Sequence, residues 1–322
     1  MKKIFQKKEF NILCIVIVLS ILITTRNSVF ISPDNLIDLL KCNTVLGILG
    51  IGMLMAIITG GIDVSVGAMT AVVTIIIGKV LVAYQVNILF IFLIASLCGF
   101  ILGAINGFFI SKLKIPPIIV TLGTLSIYGG LNLYYTNGNW ITNLPKYFLD
   151  FGNIKIIGLP IQIFFLIGVL LLTHFLLNYT LFGRGIYCIG GNPEAASMAG
   201  YKKEKILFFL YSYIGFLAGI AAVVHTTIVK MVDPNAFSDV EIMVIAVVVL
   251  GGANILGGEG SVVGTLFGLI LLGVINNGLI LAWVSTYWQQ IIIGAIILAS
   301  VSFDVIQSKR IEKEMFKIDV KE

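Results

Sequence analysis

Charge is scarce in this chain: of 322 residues only 11% are Asp, Glu, Lys or Arg, and there are two histidines and four cysteines. A soluble domain ordinarily carries about 25% charged residues, so a fully solvated surface is excluded. Cys14, Cys42, Cys98 and Cys188 are scattered without C-x-x-C spacing, which leaves no zinc or redox motif and reads as small apolar filler. His174 and His225 stand singly in apolar stretches without a neighbouring carboxylate, so packing or a local hydrogen bond is expected of them rather than a proton relay. The chain also lacks a G-x-x-x-x-G-K-[ST] phosphate loop, an H-E-x-x-H helix and a G-x-S-x-G elbow. Any ATP used in its work must be bound by another chain, and no enzymatic activity, cofactor or metal is expected of this one.

What the sequence has in abundance is apolar residues, at 58% of the total and a mean hydropathy of +1.06. Uncharged runs recur near the ~20 residues that a helix needs to cross ~30 Å of hydrocarbon, and only helices or closed barrels satisfy their backbones there. The fold class is therefore all-α, a polytopic membrane helix bundle of about ten spans, at about 10–25, 43–59, 64–84, 88–111, 115–136, 157–177, 206–228, 241–254, 260–282 and 287–303. The spans at 43–59 and 241–254 are short and run into glycine pairs, which suits broken or re-entrant helices. No small-x-small cleavage site follows the first span, so its retention is expected.

Positive charge sets the orientation. With the amino terminus in the cytoplasm, fifteen of the 21 lysines and arginines fall on one side, among them Lys2, Lys112, Lys114, Arg184, Lys202, Lys203, Lys205 and Lys309. The other side keeps Arg26, Lys41, Lys79, Lys146, Lys155 and Lys230. Both termini are thus expected in the cytoplasm, and the +5 net charge reports topology rather than affinity for nucleic acid.

Glycine carries the packing signal. Gly99, Gly103 and Gly107 share one face of the fourth span, and Gly215/Gly219 and Gly264/Gly268 repeat the spacing, which predicts close approach of helices within the chain. Two glycine-rich stretches, "ITGGIDVSVGAMTAVV" and "VLGGANILGGEGSVVGTLFG", each end one span in Gly-Gly and start the next after a turn with one acid. They read as one device used twice, with Asp63 and Glu259 suited to cap the following helices. Alternatively, Asp63 and Ser65 lie in a polar path, which they would share with Asn106, Thr121, Thr124, Asn276 and Asn277 inside the spans.

A polar interruption, "GRGIYCIGGNPEAASMAGYKKEK", separates two apolar spans. Asn192 suits an N-cap, Pro193 the first helical position, Glu194 the positive end of the helix dipole and Gly200 the left-handed stop. The result is a helix of about two turns, too short to persist in water without a surface to lie against. Ala195, Ala196 and Ala199 keep it slim enough for a groove.

Five stretches in order, "GGIDVSVGAMT", "LKIPPIIVTLGTLSIYGG", "FGRGIYCIGGNPEAASMAGY", "IAVVVLGGANILGGEGSVVGTLFG" and "NNGL", resemble the ribose-type permease subunits of bacterial ABC importers. The likeness runs from about residue 40 to 305, and "YGGLNLYYTNGNWITNLP" is similar to the subgroup carrying autoinducer-2 or rhamnose. It implies a single permease domain over 1–322, multi-pass in the bacterial inner membrane, with a cytoplasmic coupling loop at 178–205 and a cytoplasmic tail at 304–322. Implied partners are the lipid bilayer, a second permease subunit of the same or a different chain, cytoplasmic ATP-binding subunits and an extracytoplasmic solute-binding protein; nucleic acid is not among them. The coupling pattern falls on Arg184, Asn192, Glu194, Ala195, Ala196 and Gly200. The outer loop at 137–156, with Trp140 and Asn143, is the surface expected to meet the binding protein. An ion-coupled secondary transporter is the alternative, and it would need intramembrane acids, for which only Asp63 and the glycine turns qualify.

Overall fold

A computed structural model of the chain describes residues 7–296, 298, 299 and 302. The elements run α1 (Lys7–Arg26), a 3-10 turn (Ser28–Ile31), α2 (Pro33–Ile58), α3 (Val66–Ala83), α4 (Ile88–Ser111), α5 (Pro117–Thr136) and α6 (Lys146–Gly152). A two-residue hairpin, β1 (Lys155–Ile156) with β2 (Leu159–Pro160), leads into α7 (Ile161–Tyr179), α8 (Leu181–Gly191), α9 (Pro193–Met198), α10 (Lys203–Val229), α11 (Val240–Leu250) and α12 (Val262–Leu281). Among the described residues eight helices, α1 to α5, α7, α10 and α12, are long and apolar enough to cross a membrane. Residues 286–296 are helical and open the tenth expected span; several residues of its second half, and the tail 304–322, lie outside the described residues.

One span differs from the expectation and one is short as expected, each for a local reason. The span expected at 43–59 starts ten residues earlier, because Ser32 caps it by accepting the Asn35 N–H and Pro33 fills the first position. Asp34, Asn35, Asp38 and Lys41 read as a loop in the sequence but form the polar first turns of a 26-residue helix, roughly 39 Å long. By contrast α11 has only 11 residues, roughly 16 Å, about half a bilayer core. Its approach explains the deficit: the connector 230–239 runs inward along α3, with Val232 against Gly78 and Phe237 against Gly67.

The long helix α10 sits at the centre, packed most extensively on α4 and then on α3 and α2. A Cβ added at Gly99 would lie 2.1 Å from the Gly215 carbonyl oxygen, and one at Gly103 2.2 Å from that of Tyr211. The glycine faces therefore close an intramolecular contact, as their spacing predicted, and Gly264 and Gly268 do the same against Gly251 and Val247. Lipid supplies no hydrophobic drive between helices, so backbone proximity and dispersion hold this seam. Cys14, Cys42 and Cys188 are exposed rather than packed as filler.

At the end opposite the lysine-rich loops, the segment between α5 and α7 is fixed to the bundle. Ile141 and Val232 exchange both backbone hydrogen bonds, at 2.9 and 3.0 Å. Leu144 and Phe148 are buried with Val73, Ile77, Ile91 and Val223. Gln162 Nε2 donates to the Gly152 carbonyl at 2.8 Å and to Thr227 Oγ1 at 3.2 Å.

Gly99→Ala and Gly103→Ala should each lower the thermal unfolding midpoint of the detergent-purified chain, with a loss of about 1–3 kcal/mol from overpacking. Gly123→Ala and Gly129→Ala meet nothing within 4 Å and should be neutral or slightly stabilising, as Ala is the better helix former. Equal effects at all four positions would contradict the α4–α10 seam.

Candidate functional site

The polar interruption folds as its cap residues dictate. Asn192 Oδ1 accepts the N–H groups of Glu194 and Ala195, both at 3.0 Å, and Pro193 opens α9. The helix stops at Gly200, whose φ of +84° is the left-handed region glycine enters without strain. Gly200 N–H donates to the Ser197 carbonyl and Tyr201 N–H to that of Ala196, so the last carbonyls are satisfied. Of α9 only Ala196 is buried, while Glu194 and Ala195 are exposed and Met198 is 90% exposed. Sequence reading passed over Met198; the available signal was a lone large apolar residue in a polar segment.

Behind α9, helix α8 locks onto both glycine turns. Thr180 caps it by accepting the Gly183 N–H at 3.1 Å, and Arg184 stands exposed on its outer side. At its far end Gly190 presses on the end of α2 so closely that a Cβ would fall 1.7 Å from the Ile58 carbonyl oxygen. That same carbonyl accepts the Gly258 N–H at 2.8 Å. Tyr187 Oη donates to the Gly260 carbonyl at 2.8 Å, and burial pushes its phenol pKa up, which keeps it a donor. The two glycine turns, 59–65 and 251–261, thus meet at one end of the bundle, directly under α8.

The sequence assigned helix caps to Asp63 and Glu259, and the structure corrects both. Ser65 occupies the N-cap position of α3 without a side-chain cap bond, and Asp63 Oδ1 instead accepts the Ser65 N–H at 3.0 Å and the Ser65 Oγ–H at 2.6 Å. Lying two residues ahead of the cap, Asp63 closes a turn before the helix rather than capping it. At α12 the cap is Ser261, which accepts the Gly264 N–H at 2.9 Å and donates to Glu9 of α1.

Four of the seven residues proposed for a polar path come together around this turn. Asn106 Nδ2 of α4 donates to Ser65 Oγ at 2.8 Å, and Thr121 Oγ1 of α5 donates to the Ile62 carbonyl at 3.3 Å. Asp63, Ser65, Asn106 and Thr121 have no exposed surface, and Asp63 Oδ2 and Asn106 Oδ1 have no hydrogen-bond partner. Thr124, one turn further along α5, is 6% exposed and bonds to its own helix. Asn276 and Asn277 lie elsewhere, near the other end of α12, where Asn277 and Asn35 exchange side-chain hydrogen bonds at 2.9 and 3.0 Å. Trp140 and Asn143 are exposed on the outer segment, Asn143 with a φ of +60°.

A polar cleft of about 160 Å³ escaped the sequence reading. It opens between α3, α5 and the connector before α11, and Asn132, Asn235, Ser238, Asp239 and Glu241 supply its polar lining. Ala68 and Ala71 of α3 and Gly129 of α5 keep it open, and the Glu241 Oε2 atom is buried without a partner.

Residues 35–301 match the family model described as branched-chain amino acid transport system / permease component. The chain belongs to this permease family. The permease is 37% identical to a ribose import permease of Bacillus subtilis over 89% of each chain. It is 31% identical to a D-allose transport system permease of Escherichia coli over 95% of this chain and 94% of the relative. An autoinducer 2 import system permease of Salmonella choleraesuis is 32% identical over 94% of this chain and 87% of the relative. No solved structure matches the permease.

Asp63→Asn keeps the Oδ1 acceptor and should leave the permease folded and abundant in the membrane. Asp63→Leu strands the buried Ser65 N–H and hydroxyl and should cost about 1–3 kcal/mol for each unsatisfied group, read as a lower thermal midpoint. A leucine variant as stable as the asparagine variant would show that the turn does not depend on the carboxylate.

Proposed function

We propose that the permease is the transmembrane subunit of a binding-protein-dependent ABC importer for a sugar or sugar-like solute, driven by ATP hydrolysed on separate subunits. The observation that carries this reading is α9, an exposed helix capped at both ends and joined through α8 to both glycine turns. A short rigid rod of this kind passes on a push, whereas a flexible loop would dissipate it. Glu194, Ala195 and Met198 face outward and form the contact with the ATP-binding subunit, with Asn192 and Gly200 fixing the two ends. Arg184 adds a positive charge beside that contact. In this reading α8, α9 and the two turns move as one unit, because Gly190 and Gly258 both bear on the Ile58 carbonyl.

The solute class rests on the relatives, which are named as import permeases for ribose, D-allose and autoinducer 2. The cleft between α3, α5 and α11 is the part of the path that this chain supplies. Carboxylates and amides there accept and donate hydrogen bonds as polyhydroxylated solutes require, in a space of about 160 Å³. Asp63, Ser65, Asn106 and Thr121 act on that path from behind, by fixing the start of α3, whose Ala68 and Ala71 line the cleft. A second permease copy or a different permease closes the far side. The outer segment with Trp140 and Asn143 receives the solute-binding protein.

The test is the reconstituted importer assayed for ATPase co-purification and for hydrolysis stimulated by solute-loaded binding protein. Ala195→Trp should abolish or strongly reduce co-purification, since added bulk in a packed groove costs about 1–3 kcal/mol, up to roughly 100-fold in affinity. Glu241→Gln should leave assembly intact and weaken solute uptake. Wild-type assembly and stimulation in both Ala195→Trp and Gly200→Val would refute the coupling assignment.

A further inference from the structure

A cavity of about 920 Å³ lies at the lysine-rich end, between the α4–α5 loop and the start of α10. Lys112, Lys114, Lys202, Lys203 and Lys205 line it, with Glu204 as its one acid. Lys112 Nζ and Glu204 Oε2 are 3.3 Å apart, so this acid is spent on one lysine and four positive side chains are left over. Two long helices, α5 and α10, begin at this cavity, and neither has a side-chain N-cap: Pro116 precedes one and Lys202 the other. Their amino ends add the positive ends of two helix dipoles; the first turn of α10 holds Glu204, and that of α5 holds no acid.

An independent observation comes from Ser111. It lines the same cavity, is 2% exposed, and its hydroxyl has no hydrogen-bond partner. A buried hydroxyl without a partner is costly, and a ligand oxygen in the cavity would satisfy it. Lys114 is held at a φ of +56°, a conformation uncommon for a lysine. The rest of the wall joins Thr59, Ser197 and Tyr201 to an apolar part, with Ile110 near the end of α4, Ile115 in the loop and Leu207 near the start of α10, and Leu113 beside it is 54% exposed.

We propose that this cavity binds a phosphate group, presented by the head of an anionic phospholipid. Its volume exceeds what a bare phosphate needs, and its apolar part, Ile110 of α4 and Leu207 of α10, continues onto two membrane-length helices, as a head group with its first acyl carbons requires. Ser111 donates to a phosphate oxygen while Lys114, Lys202, Lys203 and Lys205 neutralise its charge. The inference does not depend on which solute the permease carries.

The experiment is native mass spectrometry of the full-length detergent-purified permease titrated with phosphatidylglycerol or phosphatidylcholine, with inorganic phosphate as a competitor. Wild type should retain phosphatidylglycerol more tightly than phosphatidylcholine. Lys114→Gln combined with Lys203→Gln should weaken the anionic lipid about 30-fold. Ser111→Ala, nearly isosteric, should weaken it less, and Lys146→Gln with Lys155→Gln at the other end should leave it unchanged. Displacement by inorganic phosphate would support the phosphate site and add free phosphate as a second source. Equal retention of the two lipids, or retention untouched by the double variant, would overturn the proposal. Loss of ATPase co-purification in the double variant with lipid retention unchanged would overturn it too, and would mark the cavity as a protein-docking surface.

Discussion

One backbone carbonyl, that of Ile58, organises the working end of the molecule. It closes α2, accepts the Gly258 N–H from the second glycine turn, and carries Gly190 of α8 pressed against it. A side chain at Gly190 would displace backbone rather than the tip of a flexible group, so the three segments can meet only as they do. Three segments hang on this contact: α9 through α8, α3 through the turn at 59–65, and α12 through the turn at 251–261. The two glycine-rich stretches look alike in sequence because each must bring a helix end, a tight turn and a new helix start within reach of the same point.

Polar groups inside the bundle fall into two kinds with different consequences. The Asp63 network is sealed, and its hydrogen bonds run among Ser65, Asn106 and nearby backbone, which fixes where α3 begins. The cleft near Glu241 is open, and its polar residues come from α5, from a connector that descends along α3 and from the first turn of α11. Helix α11 is short for the same reason, since the connector has already covered part of the depth before the helix starts. The α4–α10 glycine seam holds the centre, leaving both ends to carry the specialised groups.

Much of the fold was legible in the sequence because membrane helices announce themselves locally. The runs at 88–111 and 260–282 agree with α4 and α12 to within two residues, and the Asn192, Pro193 and Gly200 signals placed α9 correctly. Polar first turns hid the start of α2, since Asp34, Asn35 and Asp38 look like loop until Ser32 and Pro33 are recognised as a cap. The cleft was hidden too: Asn132 sits in an apolar run, and Asn235, Ser238 and Asp239 read as an outer loop when the connector in fact turns inward. Nor could spacing reveal that Gly190, Ile58 and Gly258 touch, because that contact joins three segments far apart in the chain. Position alone allows Asp63 either a cap or a place in a polar path, and only the geometry shows the carboxylate turned onto Ser65.

The claim that α8, α9 and both glycine turns move as one unit is tested most directly by a distance across the junction. Spin labels at Cys188 and at Leu256→Cys, both exposed, would sit on α8 and on the second turn, in a chain carrying Cys14→Ser, Cys42→Ser and Cys98→Ser. Pulsed electron resonance on the assembled importer should give a single narrow distance that is the same without nucleotide and with ATP bound. A distance that broadens or shifts when ATP binds would contradict the rigid junction, and with it the route by which α9 reaches the membrane helices.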